Sequence, residues 1–163
     1  MKYRSDFVTN SSSSSFICAF KNKAEFSEMM EKYSQTYPQH FAYIYKDILE
    51  HRRNRKEILN ELKEYYEGEA EYSIYWSGKN KTYWDGEFEY AGLEYYNRYK
   101  LPAYKQAIDE YINKRMDYAE ANLPKRGILA SIEYSDEDGG FFSELEHDIM
   151  PRMPFVFAIL SHH

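Results

Sequence analysis

Side chains that could bind a metal ion are concentrated near the carboxyl end of this sequence. The candidate ligands are Asp136, Asp138, His147, His162 and His163. Carboxylate oxygens and imidazole nitrogens together bind Zn²⁺, Mn²⁺ or Fe²⁺. Glu144 precedes His147 by three residues, which places both on one helical face and makes Glu144 the candidate catalytic base. These residues predict a divalent metal site and, through it, a metal-dependent hydrolase that could act on phosphoesters.

Known metal motifs do not support this site. The sequence contains neither H-E-x-x-H nor Cys-x-x-Cys. The stretch from Asp136 to Gly139 suggests an EF-hand calcium loop, but its register places Leu145 where that loop requires a glutamate. The competing interpretation is a solvated acidic turn followed by a polar tail.

Five consecutive serines, Ser11 to Ser15, precede an apolar segment at Phe16 to Phe20. The hydroxyls and backbone amides of Ser11, Ser12 and Ser13 could form an anion-binding loop. The alternatives are a solvated leader and a polar edge strand. Cys18 lies inside the apolar segment, where we expect an inert, packed thiol.

Aromatic residues make up 18% of the chain, with 18 Tyr, 10 Phe and 2 Trp. Because Tyr and Trp are enriched at protein interfaces, this composition predicts a surface that binds a protein partner. The predicted surface comprises Tyr75, Trp76, Tyr83, Trp84, Arg52 and Arg55. The two arginines belong to a basic run that could contact an acidic partner or a few phosphates. The competing interpretations are a tyrosine-rich core and a solvated charged helix face.

Length and charge exclude several classes of protein. A chain of 163 residues is long enough for one domain with its own core. Its net charge of −6 argues against broad nucleic-acid binding, which depends on Lys and Arg neutralising phosphates. No segment approaches the roughly 18 apolar residues of a membrane span. The single cysteine, Cys18, excludes a disulfide within the chain and favours the cytoplasm.

Hydrophobic periodicity predicts the elements that would position these side chains. The predicted strands are 16–20, 72–76, 82–84, 87–90, 127–134 and 155–160, and the predicted helices are 23–37, 41–66, 102–121 and 141–150. The helical region at 41–66 is one long helix or two that meet at 50–57, and Gly68 is its expected end. We expect a polar leader over 1–15 and a single α+β (or α/β) domain over 16–163. Its sheet would be mixed, with about five strands, and would carry three to four helices.

The predicted order ends in a β-α-β unit, whose crossover suits two parallel strands. Parallel strands end at one edge of a sheet, which would bring Asp136 and His162 to the same edge. The place of the serine run depends on the direction of the first strand. If that strand is antiparallel to the last, the serines share the edge with the histidines; if it is parallel, they lie at the opposite edge.

The opening block Arg4-Ser5-Asp6-Phe7-Val8-Thr9-Asn10, continued by the serines and Phe16, resembles an N-terminal signature of uncharacterised proteins from Gram-positive bacteria and their phages. This resemblance covers residues 4–16, and the ending Ser161-His162-His163 also resembles that of some of these proteins. It implies a bacterial or phage protein of the cytoplasm and brings no catalytic residue.

The sequence thus predicts a small cytoplasmic binding or regulatory protein, encoded by a mobile element, whose aromatic-rich surface contacts a protein partner. The alternative is a divalent-metal-dependent hydrolase with an Asp/Glu/His site at the edge of the sheet. The sequence leaves open whether the protein is an enzyme.

Overall fold

The computed structural model describes residues 13–76 and 102–162, which form three strands and five α-helices. In chain order these are β1 (Ser13–Phe20), α1 (Lys23–Ser34), α2 (Pro38–Glu50), α3 (Arg55–Trp76), α4 (Pro102–Asn122), β2 (Ile128–Ser135), α5 (Gly140–Ser143) and β3 (Val156–His162). A π-helical turn at Glu144–Ile149 follows α5, and short 3₁₀ turns occupy Asp136–Asp138 and Met150–Arg152.

The first strand is the centre of the sheet. The strand order is β2-β1-β3, and β1 is antiparallel to both neighbours. Phe16 and Ile17 point to opposite faces of β1, and both are completely buried. Burial on both faces explains why this strand is the near-continuous apolar run seen in the sequence.

The predicted mixed sheet of about five strands is wrong, because the sheet within the described ranges has three strands and is entirely antiparallel. The predicted number of helices, three to four, is also below the five observed. The two strands of the C-terminal β-α-β unit run in the same direction but do not pair, because β1 lies between them. The crossover length alone indicated their direction and gave no information about the strand inserted between them.

The predicted strand at 72–76 is wrong as well, because these residues are the last part of α3. The predicted helix stop at Gly68 fails for a related reason. A glycine inside a helix costs only about 1 kcal/mol, and the helix continues past it to bury Ala70. The predicted strands at 82–84 and 87–90 lie outside the described residues.

The basic run separates two helices, which resolves the alternatives for 41–66. Asn54 begins α3 with a reciprocal cap: its Oδ1 accepts from the Glu57 N–H at 2.8 Å, and its own N–H donates to Glu57 Oε1 at 3.0 Å. Before this cap the backbone pairs with β2, since the Arg53 N–H donates to the Leu129 carbonyl at 2.9 Å.

The main core lies between one face of the sheet and the helices α1 and α2. Its aromatic rings pack closely. The Phe20 ring centroid lies 5.0 Å from that of Phe26, edge to face, and 5.0 Å from that of Phe155, stacked. Aromatic pairs of this kind stabilise a core beyond the area that they bury. The aromatic residues of this core are therefore structural.

The described residues divide into two compact units. One contains the residues up to Ile58 and from Leu123 onward, including the whole sheet. The other runs from Leu59 to Asn122 and holds most of α3 together with α4. The single domain expected over 16–163 stays a prediction. Across the helices that the structure describes, none is long and apolar enough to cross a membrane.

Gly127, directly before β2, packs tightly against the backbone at the end of β1. Its φ is +125°, and a Cβ at this position would lie 2.1 Å from the Phe20 carbonyl oxygen. We expect Gly127→Ala to lower the free energy of unfolding by about 2–4 kcal/mol, because a backbone atom cannot move aside as a flexible side chain would. Urea denaturation measures this effect.

Gly68→Ala is the matched control. Nothing lies within 4 Å of the Cβ position of Gly68 in the helix α3, so alanine should raise the free energy of unfolding by about 0.5–1 kcal/mol. Equal effects of the two substitutions would contradict the backbone contact at Gly127.

Candidate functional site

The serine run and the C-terminal histidine lie at the same edge of the sheet. Ser13 of β1 is opposite Ser135 of β2 on one side and His162 of β3 on the other. This is the antiparallel alternative left open by the sequence. Ser13, Ser14 and Ser15 belong to this strand.

A buried hydrogen bond joins this edge to the segment between β2 and β3. The Ser14 hydroxyl donates to Glu146 Oε1 at 3.0 Å, across 132 positions of sequence. Both residues are buried, with 6% of Ser14 and 3% of Glu146 exposed. A carboxylate in such a place requires hydrogen bonds or a positive charge to offset its lost hydration.

His147 and Asp136 complete a cluster around this carboxylate. The His147 Nε2 atom lies 3.5 Å from Glu146 Oε2 and 3.5 Å from Asp136 Oδ2. One donor atom from each residue lies within 4.8 Å of the other two. Ligand atoms about 2.1 Å from a tetrahedral metal ion are about 3.4 Å apart. Two of the three separations therefore already match those of a metal site.

Three local features of the chain place these side chains. Ser135 ends β2 and caps the 3₁₀ turn that carries Asp136, since its Oγ accepts from the Glu137 N–H at 3.3 Å. Gly139, with φ of +112°, then turns the chain into α5. The π-helical turn follows, and it points Glu146 into the protein.

The catalytic role predicted for Glu144 assumed α-helical geometry. In the π-helical turn hydrogen bonds span five residues, so faces no longer repeat every three to four positions. Glu144 instead points toward α2, where its Oε1 lies 3.4 Å from His40 Nε2. Glu146 is the carboxylate beside His147, and the catalytic role of Glu144 stays a prediction.

A second cluster occupies the opposite face of the same edge. His162 Nε2 lies 3.1 Å from the Ser15 Oγ atom and 3.9 Å from Glu133 Oε2. These are the residue types of a catalytic triad, but a triad requires the acid at the other ring nitrogen, Nδ1. Because serine and glutamate approach the same nitrogen, this geometry does not support an acyl-transfer site.

The predicted ligands therefore fall into separate groups. Asp136 and His147 meet, whereas His162 joins the cluster with Ser15; its backbone is two strand spacings, about 10 Å, from β2. Asp138 is exposed, and it is not part of the metal-ligand group. His163 lies outside the described residues.

The other predicted binding residues are distributed as follows. Ser13 is a strand residue, while Ser11 and Ser12 lie outside the described residues. Tyr83 and Trp84 also lie outside them. Tyr75 and Trp76 form the end of α3, and their side chains are not described. Arg52 and Arg55 line a cavity at the other end of β2.

Sequence reasoning missed Ser14, Ser15, Glu133 and Glu146. Side chains alternate between the two faces of a strand, so Ser14 and Ser15 point to opposite faces. The predicted strand, 16–20, began after both serines. For Glu146 the sequence held no usable signal, because its direction depends on the π-helical turn.

Comparison with known proteins gives no relative: no protein family, curated protein or solved structure significantly matches this chain. Any functional assignment therefore depends on the geometry of the site.

Two residues of the sheet, Tyr134 and Cys18, are buried acids whose ordinary pKa values lie in the alkaline range. Burial, together with the nearby Asp47 carboxylate, raises the pKa of the Tyr134 phenol far above its ordinary value of 10.0. The same two causes raise the pKa of the Cys18 thiol, which is completely buried. Cys18 is therefore a packing residue, in agreement with expectation.

These shifts predict loss of stability in alkali. Both groups stay neutral in the folded protein while the unfolded chain ionises, so the free energy of unfolding should decline as the pH rises above about 9–10. Each group adds a slope of up to about 1.4 kcal/mol per pH unit. Tyr134→Phe should remove the contribution of one group from this slope. Urea denaturation between about pH 8 and pH 11 measures it; a slope equal to that of wild type would refute the assignment to Tyr134.

Proposed function

We propose that this protein binds a divalent transition-metal ion through Asp136, Glu146 and His147. The observation that carries this proposal is the convergence of three donor atoms within 4.8 Å of one another, one of them on a carboxylate that is 97% removed from solvent. Buried carboxylates are rare in proteins unless they are paired or bind a metal.

Electrostatics favours a cation at this position. Asp136 and Glu146 place two negative charges close together in a partly buried site, where like charges repel strongly. A metal ion between them would offset the repulsion and take His147 as its third ligand. The mixed oxygen and nitrogen donor set suits Zn²⁺, Mn²⁺ or Fe²⁺.

Hydrolysis is the activity that we propose for this metal. Three protein ligands leave at least one coordination position for water, which is the arrangement of catalytic rather than structural zinc sites. A bound metal lowers the pKa of that water and so generates a nucleophile at neutral pH. The location of Glu146 within a π-helical turn supports this proposal, because such turns are frequent at functional sites.

In this proposal Ser14 orients the metal ligand Glu146. Its hydroxyl holds Glu146 Oε1, which fixes the carboxylate with Oε2 toward His147. Hydrogen bonds of this kind orient metal ligands. The proposal thus gives a role to one serine of the run.

Metal titration of the demetallated protein by calorimetry tests the site. We expect one strong site for Zn²⁺ or Mn²⁺. Ser14→Ala should weaken binding by roughly 10–100-fold, as loss of outer-shell partners does, and His147→Ala should weaken it further. Each variant should lose hydrolysis of phosphomonoester and phosphodiester test substrates in parallel.

His51→Ala is the matched control, because His51 belongs to a second potential ligand group with Asp47 and Glu50. That group lies on one helix, and His51 Nδ1 is already 2.9 Å from the Asp47 carboxylate. The control should bind metal as wild type does. Wild-type protein without a bound metal, or a loss confined to His51→Ala, would refute the proposed site.

The second candidate function is the binding of a protein partner. The observation that favours it is the pair Tyr45 and Leu49 on α2, which lie one helical turn apart and are 46% and 41% exposed. We propose this pair as part of the aromatic-rich contact surface. Both proposals assume a reducing cytoplasm, which suits the free thiol of Cys18.

Paired substitutions test the partner surface. Tyr45→Ser with Leu49→Ser should abolish capture of a partner that the wild-type protein retains from a bacterial lysate. Tyr72→Ser with Tyr118→Ser is the control, because these tyrosines are 66% and 63% exposed and belong to the other compact unit. Retention of the same partner by the first variant would exclude this surface.

A further inference from the structure

A positively charged cavity lies at one end of β2, and the proposed metal site lies at the other end. Its volume is about 430 Å³, within the range of small-molecule sites. The described residues that line it are Arg52, Arg53, Asn54, Arg55, Lys125, Arg126, Gly127 and Leu129. Two short segments supply all of them: 52–55, which ends at the first residue of α3, and 125–129, which ends at the second residue of β2.

The charge of this cavity is opposite to that of the protein. Five of the eight lining residues are cationic and none is acidic, whereas the chain as a whole carries a net charge of −6. Like charges around one cavity repel one another, and an anion would relieve that repulsion.

Backbone contacts fix both segments that line the cavity. Arg52 forms an isolated bridge with Ala130, and the Arg53 N–H donates to the Leu129 carbonyl at 2.9 Å. Gly127 packs directly against the end of β1. The cationic side chains therefore extend from a fixed frame, which lowers the entropy lost on binding an anion.

The lining also indicates the chemistry of the ligand. No described lining residue is aromatic, so no ring there would stack on a nucleobase, and Leu129 is the sole aliphatic side chain among them. One phosphate group carries about −1.5 to −2 charges at neutral pH. Two or three linked phosphates therefore match the four exposed cations of the lining, Arg52, Arg53, Lys125 and Arg126, better than a single phosphate does.

We propose that this cavity binds a small polyphosphate, with inorganic pyrophosphate and tripolyphosphate as the simplest members of the class. Arginine side chains would hold the phosphate oxygens in bidentate pairs, and Lys125 would act as a point charge. The eight residues of β2 separate this site from Asp136 by about 20 Å. The proposal therefore does not depend on the metal site.

Calorimetric titration with pyrophosphate and tripolyphosphate tests the proposal. The His147→Ala background with EDTA present excludes a metal-bridged signal. We expect binding that weakens as the salt concentration rises. Lys125→Gln with Arg126→Gln should weaken it by roughly tenfold or more, and Arg53→Gln, from the opposite segment, should also weaken it by roughly tenfold.

Lys32→Gln with Arg152→Gln is the control, because it removes the same charge from exposed positions that do not line the cavity. It should alter the affinity by less than about twofold, since distant surface charges are largely screened. Thermal denaturation of each variant verifies that it is folded.

Three outcomes would overturn the proposal. The first is no binding of either polyphosphate, and the second is an equal loss of affinity in the lining and control variants. The third is binding of orthophosphate, or of a single-stranded oligonucleotide, as tightly as tripolyphosphate, which would assign the cavity to a single phosphate or to nucleic acid.

Discussion

The antiparallel pairing of β1 with both of its neighbours is the constraint on which the rest of this structure depends. Because β1 is central, its apolar residues are buried on both faces, as Phe16 and Ile17 show. Because it is antiparallel to β2 and β3, its first residues lie where those strands end. Small hydroxyl residues suit that position, since Ser14 and Ser15 fit among buried neighbours and still provide hydrogen-bond donors. The serine run thus supplies the polar beginning of a core strand.

The buried carboxylate of Glu146 imposes the second constraint. Desolvation of a carboxylate is costly unless nearby groups compensate, and here Ser14 and His147 surround it. The π-helical turn that directs Glu146 inward replaces regular helical hydrogen bonding. Such a turn persists where surrounding contacts determine it, and the full burial of Leu145 supplies such contacts. The geometry that selects Glu146 over Glu144 is therefore a product of packing.

Opposite charges are separated along β2. Lys125 and Arg126 precede the strand, and Asp136 follows it directly. The strand therefore holds a cationic cavity and an acidic cluster about 20 Å apart, beyond the Debye length of about 8 Å at physiological salt. Because screening largely uncouples the two ends, each can bind a ligand of opposite charge without opposing the other. Both proposed sites thus follow from the placement of one strand.

Sequence periodicity by itself determined the helices α1, α2 and α4 and the three strands of the sheet, because those patterns depend only on which face of each element is buried. It also singled out Asp136, His147, Arg52 and Arg55, which belong to the two proposed sites. It could not determine strand order, since insertion of β1 between β2 and β3 depends on contacts more than a hundred residues apart in sequence. The alternation of apolar residues at Tyr72–Trp76 led to the wrong prediction of a strand. These residues end a helix that begins at Arg55, and a local pattern does not show how far a preceding helix extends. Only the tertiary structure brought Ser14 to Glu146 and Arg53 to Lys125, because both pairs join segments that meet only when the sheet has assembled.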